Sequence, residues 1–398
     1  MNSQLNTDFS TDSALSYDLT IIGGGPVGAA LALALRASGL KICVLEARAE
    51  NVANSDARAL ALSYGSRLLL ERLHVWDSLR EVSAIRSIHI SQQKSFGRAR
   101  LSAAELHVPE LGYVLPYPAL QGALELGLRA SAVEIKYAAR VSELRGTASG
   151  AEIIYQQDGA AKSLRARLAV VADGGKLLAE QHPPEVRDYG QSALITHVTC
   201  SATLADTAFE RFTPQGPLAL LPFQNGYELV WTAAHDAAQA MLSWDDAKFL
   251  SELQQAFGNR VGDFLQVGKR SCFALGLKRA PQQTPQPHLL LLGNAAQTLH
   301  PVAGQGFNLG LRDAWELAEI ILASAPDELG SDAMLANYRA TRRVDREAGI
   351  RFTDSLVRLF SNDMPLLSGA RGAALTALDC LPFAKTFVAK RMMFGVNG

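Results

Sequence analysis

Residues 17–48, YDLTIIGGGPVGAALALALRASGLKICVLEAR, constrain the fold of this chain more than any other stretch. Leu19 to Ile22, apolar apart from Thr20, form the run that a parallel strand buried on both faces requires. Gly23, Gly25 and Gly28 follow in GxGxxG order, with Pro26 and Val27 between the last two. An Ala/Leu-rich helical stretch then runs to Gly39, and a second strand from Lys41 to Leu45 ends at Glu46, Ala47 and Arg48. Each part has a mechanical reason. Gly23 permits the tight turn, Gly25 lets a pyrophosphate approach the backbone, and Gly28 lets helix and strand pack closely. The helix N-terminus faces phosphate, and Glu46 is placed to accept both hydroxyls of an adenosine ribose. The unit predicts dinucleotide binding; the bland alternative is a structural βαβ unit with an empty crevice. No second GxGxxG-plus-acid unit follows, which argues against separate flavin and nicotinamide folds. An NAD dehydrogenase and a flavoprotein with one such unit both remain open at this point.

With 398 residues the chain exceeds what one core usually supports, so two or more domains are expected. Lys+Arg 38 against Asp+Glu 39 gives no net basic field, which argues against nucleic acid as the main partner. Cys43, Cys200, Cys272 and Cys380 have no metal-ligand spacing and read as small hydrophobes of a reducing cytoplasm; no metal is expected. The first fifteen residues are polar and lack Lys and Arg, so a disordered tail and no signal peptide are expected. No apolar run approaches the roughly 18 residues of a membrane span, which leaves peripheral contact as the only expected kind.

Further along, the motifs are less specific. Residues 56–79 read as a loop leading into an amphipathic helix, with Arg58 placed either to reach a phosphate or flavin edge or simply to sit in solvent. Residues 112–131 read as a strand, a Pro-broken turn and a helix from about Ala119, with Gln121 in its first turn facing a ligand or solvent. The strand 165–172 runs into Asp173-Gly174-Gly175, where an acid at a parallel strand's carboxyl end meets ligands in open α/β sheets. Asp-Gly is equally a turn dipeptide. From 186 to 280, β-branched and aromatic residues alternate between turn signals, which predicts an inserted antiparallel sheet that roofs a pocket. The stretch GNAAQTLHPVAGQGFNLG, 293–310, then sets four glycines between an apolar strand and a helix.

Taken together, these stretches resemble the FAD-dependent aromatic hydroxylases, the para-hydroxybenzoate hydroxylase group of flavoprotein monooxygenases, in their ubiquinone-biosynthesis branch. The GxGxxG with Glu46, the Asp-Gly strand end and, most specifically, G(D/N)AA…HPxxGQGxNxGxxD from Gly293 to Asp313 carry the likeness. Asn294 stands where Asp is usual and Gln297 where His is common. Leu177 stands where the family has Ser after the Asp-Gly, with no Arg nearby, a departure from the pattern to which the family's NAD(P)H contacts belong, though Asp173 itself is kept. Pro118 and Ala119 stand where the family often has an Arg before Gln121.

The resemblance implies an α/β fold: a Rossmann-like FAD-binding domain (16–75, 100–185 and 284–345), an inserted mainly antiparallel β substrate domain (76–99 and 186–283), and a C-terminal helical segment (346–398) after the tail 1–15. It implies non-covalent FAD at Gly23, Gly25, Pro26, Val27, Gly28, Glu46, Ala47, Arg48, Arg58, Gln121 and Asp173, and again at Gly293, Asn294, Gly304, Gln305, Gly306, Phe307 and Asn308. His300 and Pro301 would lie in the loop beside the flavin, His300 either handling protons or bonded to backbone. Pro217, Leu218, Leu220 and Pro222 would form the apolar wall for a prenylated phenol. NAD(P)H would be a transient co-substrate, and one atom of O2 would reach the phenol by way of a flavin hydroperoxide. The implied setting is cytoplasmic. Segment 363–398 would touch the inner membrane or partner enzymes of the pathway, or else pack on its own core. Three rival readings differ in chemistry. A prenyl-lipid reductase or another phenol hydroxylase would keep the same motifs. A nicotinamide-only dehydrogenase would leave 293–310 without a purpose. A flavin-free lipid-binding regulator of the same fold would not need the glycines at 23, 25, 28, 304 and 306.

Overall fold

The computed structural model describes residues 16–52, 58–298, 305–360 and 365–395. Its first strand, Tyr17–Ile22, lies between two parallel neighbours, Ile42–Leu45 and the end of Ala160–Val171. Leu289–Leu291 continues the parallel order beyond Ala160–Val171, and Glu134–Lys136 does so beyond Ile42–Leu45. The hairpin strands Arg140–Thr147 and Gly150–Gln157 add an antiparallel flank, for seven strands among the described residues. Both faces are covered, which is why these strands read as continuous apolar runs. Leu19, Ile21, Val44, Leu168 and Val170 meet the helices Pro26–Ala34, Tyr117–Arg129 and Gln305–Ala323 on one face. Ile22, Cys43, Leu45, Ala169 and Val171 meet Leu144, Ile153 and Tyr155 of the hairpin on the other.

The inserted sheet expected from 186–280 is present and larger than expected. Nine strands form it among the described residues, including Ser87–Gln92, Arg98–Ser102 and the two-residue Gln297–Thr298. It is antiparallel apart from the parallel pairing of Thr207–Thr213 with Ser87–Gln92. The boundary expected at 99–100 therefore falls inside a strand, because the segment crossing into this sheet must complete a hairpin before returning. Helices His235–Ser243 and Asp246–Phe257 cover one face over Leu194, Leu218, Leu220, Leu229 and Trp231. A small three-stranded sheet, Ala59–Ser63, Gly112–Pro116 and Ser83–Ile85, sits between the two large ones.

The helix expected from about Ala119 begins at Tyr117, with Pro116 as N-cap and Pro118 in the first turn, where its missing N–H is no loss. Helix Asp332–Phe360 runs through the expected boundary at 345–346. It is tied to Gln305–Ala323 by a buried cation: Arg342, 1% exposed, bonds Asp313 and Asp345 at 2.7 Å each. Helices Pro365–Cys380 and Pro382–Phe394 then fold back over the large sheet, the second burying Ala389 and Met393 against Leu101, Ala103 and Leu111.

Candidate active site

A cavity of about 1380 Å³ opens between the carboxyl ends of the parallel strands and the uncovered face of the nine-stranded sheet. One end is polar backbone, the other aliphatic. At the polar end Gly23 takes φ +104°, and a Cβ there would lie 2.6 Å from the Ala172 carbonyl oxygen. Gly28 faces strand and turn so closely that a Cβ would meet the Gly23 carbonyl oxygen at 2.1 Å. Gly25 is the opposite case: it lines the cavity, and a Cβ there would have no protein atom within 4 Å. It is also the N-cap of helix Pro26–Ala34 and supplies no side-chain cap, so the N–H groups of Val27 and Gly28 have no partner within the helix. Open space in front of uncapped amides is a cradle for a pyrophosphate.

The acid at the end of the second strand is less free than its position suggests. One Glu46 oxygen accepts Gly24 N–H at 2.8 Å; the other accepts Arg48 N–H at 2.8 Å and Arg48 Nε at 3.0 Å. With roughly four lone-pair sites on a carboxylate, room remains for a ribose hydroxyl, and Glu46, Ala47 and Arg48 all line the cavity. Gln121 does not line it. Its Nε2 donates to the Gly24 carbonyl at 2.8 Å, which fixes the glycine turn from behind, while its buried Oε1 has no partner among the described residues. Asp173 lines the cavity, and its oxygens accept the N–H groups of Gly175, Lys176 and Leu177, the turn-forming alternative. Arg58 also lines it, its guanidinium 5.2 Å from the Phe273 ring centre.

The late glycine block arrives on the same side. Gly293, Asn294, Gly306, Phe307 and Asn308 line the cavity, and helix Gln305–Ala323 starts there. Gly306 again has no protein atom within 4 Å of a Cβ position. The Asn308 amide is engaged elsewhere: Oδ1 accepts from Ser63 N–H and Ser66 Oγ, and Nδ2 donates to the Ala61 carbonyl. His300, Pro301 and Gly304 lie outside the described residues. Two helix N-termini that donate, two glycines facing open space and a terminal acid that accepts, all in one cavity, fit FAD.

The expected apolar wall needs correction. Pro217 lines the cavity, but Leu218, Leu220 and Pro222 do not; Ala219 and Leu221 do. Successive residues of strand Gly216–Phe223 point to opposite faces, and Leu218 and Leu220 are buried under the helices 235–257. The rest of the wall was not anticipated: Ile88 and Ile90 from the hairpin, and Leu375, Leu378, Val388 and Met392 from the C-terminal helices. Among these side chains stands Glu210, on strand Thr207–Thr213. Strand parity would have found it, since it shares a face with Ala208 and Phe212.

Comparison with known proteins agrees with this geometry. The FAD binding domain family matches residues 16–353. The ubiquinone hydroxylase UbiL of Rhodospirillum rubrum is 34% identical over 387 residues, covering 94% of this chain and 89% of that protein. The 3-demethoxyubiquinol 3-hydroxylase of Escherichia coli is 31% identical over 384 residues, covering 91% and 94%. Among solved structures, p-nitrophenol 4-monooxygenase of Pseudomonas putida superposes with a TM-score of 0.76 at 19% identity, covering 94% of this chain and 96% of its own, a likeness of fold.

Proposed function

Because the chain belongs to the FAD-binding-domain family, we propose that it hydroxylates a prenylated phenol in ubiquinone biosynthesis, with NAD(P)H as reductant and O2 as oxygen source. The carrying observation is one cavity that joins a dinucleotide cradle to a long aliphatic wall. The names of the Rhodospirillum and Escherichia relatives support the substrate class. Within that branch, residues 210–222 and 353–362 resemble 2-octaprenyl-6-methoxyphenol hydroxylase. The overall reaction balances with one hydrogen of the phenol ring replaced by hydroxyl, one water formed and NAD(P)H oxidised.

Bound FAD supplies the electron storage and oxygen activation that no side chain provides. The protein's part is to bind, orient and keep dry. The amides of Val27 and Gly28 take the pyrophosphate, Glu46 a ribose hydroxyl, and Gly293 and Asn294 the stretch between pyrophosphate and ring. The N-terminus of helix Gln305–Ala323 favours negative charge at its end of the cavity. Ile88, Ile90, Leu375 and Met392 exclude water and give a prenyl tail an apolar track. Deleting the gene should accumulate a prenylated phenol lacking one ring hydroxyl, read by mass spectrometry of extracted lipids. An unchanged quinone pool would sink the reading.

A peripheral membrane contact fits the same wall. The last helix turns its inner side chains to the cavity, while Phe383 and Phe387 are 72% and 61% exposed on its outside, with Arg391 5.2 Å from the Phe387 ring. Among the described residues no single helix is long and apolar enough to cross a membrane. Exposed aromatics beside cations suit the headgroup boundary of an anionic bilayer. Changing both to Ser should reduce co-sedimentation with anionic liposomes while FAD content stays constant; unchanged co-sedimentation counts against the contact.

A further inference from the structure

Cross-strand register sets one acid in an otherwise apolar row. Glu210 pairs with Ile90 on one side and Ala219 on the other, and the row continues through Val230 to Ile195. Of the cavity-lining residues that the nine-stranded sheet and the C-terminal helices contribute, Glu210 alone is ionisable. No hydrogen bond or ion pair holds its carboxyl among the described residues, and burial alone pushes it from an ordinary 4.5 up to about 7. Nearby cations face away. Arg211 is the next residue and so points to the opposite face, where it and Arg260 both reach Ser91 Oγ. Helix Pro365–Cys380 brings Leu375 and Leu378 to the cavity, while its Asp379 accepts from the Arg100 N–H outside it.

A carboxyl without a partner in an apolar wall does nothing for the free fold, since its desolvation is not offset. Such a group belongs where a ligand brings the missing donor. We infer that Glu210 receives the ring hydroxyl of the phenolic substrate, accepting its hydrogen bond and taking its proton while the ring is oxygenated. The inference rests on the hydroxylase reading above. In the step, the phenol O–H bond breaks, a Glu210 O–H bond forms, and the electron pair stays on the phenol oxygen. No redox change occurs at Glu210, and the proton is returned when product leaves. The phenolate so formed is the more electron-rich ring, which is what transfer of an electrophilic oxygen needs. A single acceptor in a dry wall also selects orientation: a ring without that hydroxyl leaves the acid unpaired and is rejected more strongly than by an aliphatic wall alone.

The test uses the FAD-loaded enzyme and two probes, 2-(3-methylbut-2-enyl)phenol and its methyl ether, which differ by the acidic proton. Titration is followed through the flavin absorption spectrum. The wild type should prefer the phenol by about tenfold or more, the scale of a hydrogen bond to a charged acceptor. The preference should grow as pH rises through about 7, because the carboxylate accepts while the carboxylic acid donates to either probe. Glu210→Gln, which keeps an acceptor oxygen but no charge, should lose the pH dependence, and Glu210→Leu, which has no acceptor, should lose the preference as well. Equal binding of both probes by the wild type at every pH, or a preference surviving in Glu210→Leu, overturns the assignment and leaves hydroxylation standing. An enzyme that binds neither probe and consumes no NAD(P)H with the phenol overturns the hydroxylase reading, and this one with it. If neither variant folds, the wild-type comparison decides alone.

Discussion

Gly28→Ala and Gly25→Ala add the same methyl group three residues apart and should fail in different ways. At Gly28 the new Cβ would sit 2.1 Å from the Gly23 carbonyl oxygen, where ordinary contact begins at 3.4 Å. Ile21 Cγ2 at 3.2 Å and Ala172 Cβ at 3.3 Å close the neighbouring directions. The helix must therefore retreat by about 1.3 Å, close to the rise of one residue, or the turn must deform. Overpacking of this kind costs about 1–3 kcal/mol, and a rigid backbone oxygen as the clashing atom argues for the upper half. The retreat also withdraws the Val27 and Gly28 amides, so FAD binding should weaken together with the fold. Gly25 already has φ −64° and ψ 173°, which Ala adopts, and no protein atom waits within 4 Å. The free protein should then change by no more than about 1 kcal/mol, the scale of an N-cap exchange, while FAD affinity falls because the methyl occupies the cradle. Thermal unfolding of the two flavin-free proteins and titration with FAD, read by flavin fluorescence, separate the cases. A Gly28→Ala protein melting like the wild type, or a Gly25→Ala protein with wild-type FAD affinity, would refute the reasoning.

Glu46→Ala should weaken FAD binding by about 1–3 kcal/mol, since the ribose loses an acceptor while Gly24 and Arg48 lose theirs; an unchanged affinity would remove Glu46 from the site. Gly306→Val should lower the flavin reduction potential, because a branched side chain in open space keeps the helix N-terminus, a term of about 0.3–2 kcal/mol, from the ring. A variant with wild-type potential would make the glycine a mere turn residue. Arg342→Met should destabilise by about 3–5 kcal/mol in urea, because Asp313, fully buried, loses the cation that offsets its desolvation. A second change, Asp313→Asn, should recover part of the loss; if it recovers none, the pair is not the cause. Glu210→Leu should stabilise the flavin-free protein. Between 4.5 and about 7 the folded state holds a proton the unfolded chain has released, so wild-type stability should fall as pH rises across that window, and the variant should lose that slope. Parallel pH profiles for the two would count against a half-buried Glu210 whose carboxyl has no partner among the described residues.

The nucleotide cradle was legible because backbone geometry leaves no choice of residue at Gly23 and Gly28. Wall parity was not. Strand Gly216–Phe223 is apolar on both sides, one packed on helices and one facing the cavity, so no polar–apolar alternation marked which was which. Gln121 was found in the right turn, but its visible partner is the Gly24 carbonyl. The C-terminal contribution to the wall could not be read at all, since it depends on contacts such as Ser63 Oγ to the Met393 carbonyl, 330 residues apart.

That last contact bears on the order in which the molecule is made. The corner at Ser63 holds the Ala59–Ser63 strand against Gly112–Pro116 and then waits for 330 more residues of chain before Met393 can reach it. The parallel sheet likewise lacks Leu289–Leu291 until three quarters of the described chain exists. Throughout that interval the surfaces of Ile88, Ile90 and Leu101 that will face the cavity are uncovered, and they are the kind that recruit holding chaperones or stick to one another. Docking of helices Pro365–Cys380 and Pro382–Phe394 covers that surface, so the interval before it should be the one in which the apolar wall is most open to aggregation.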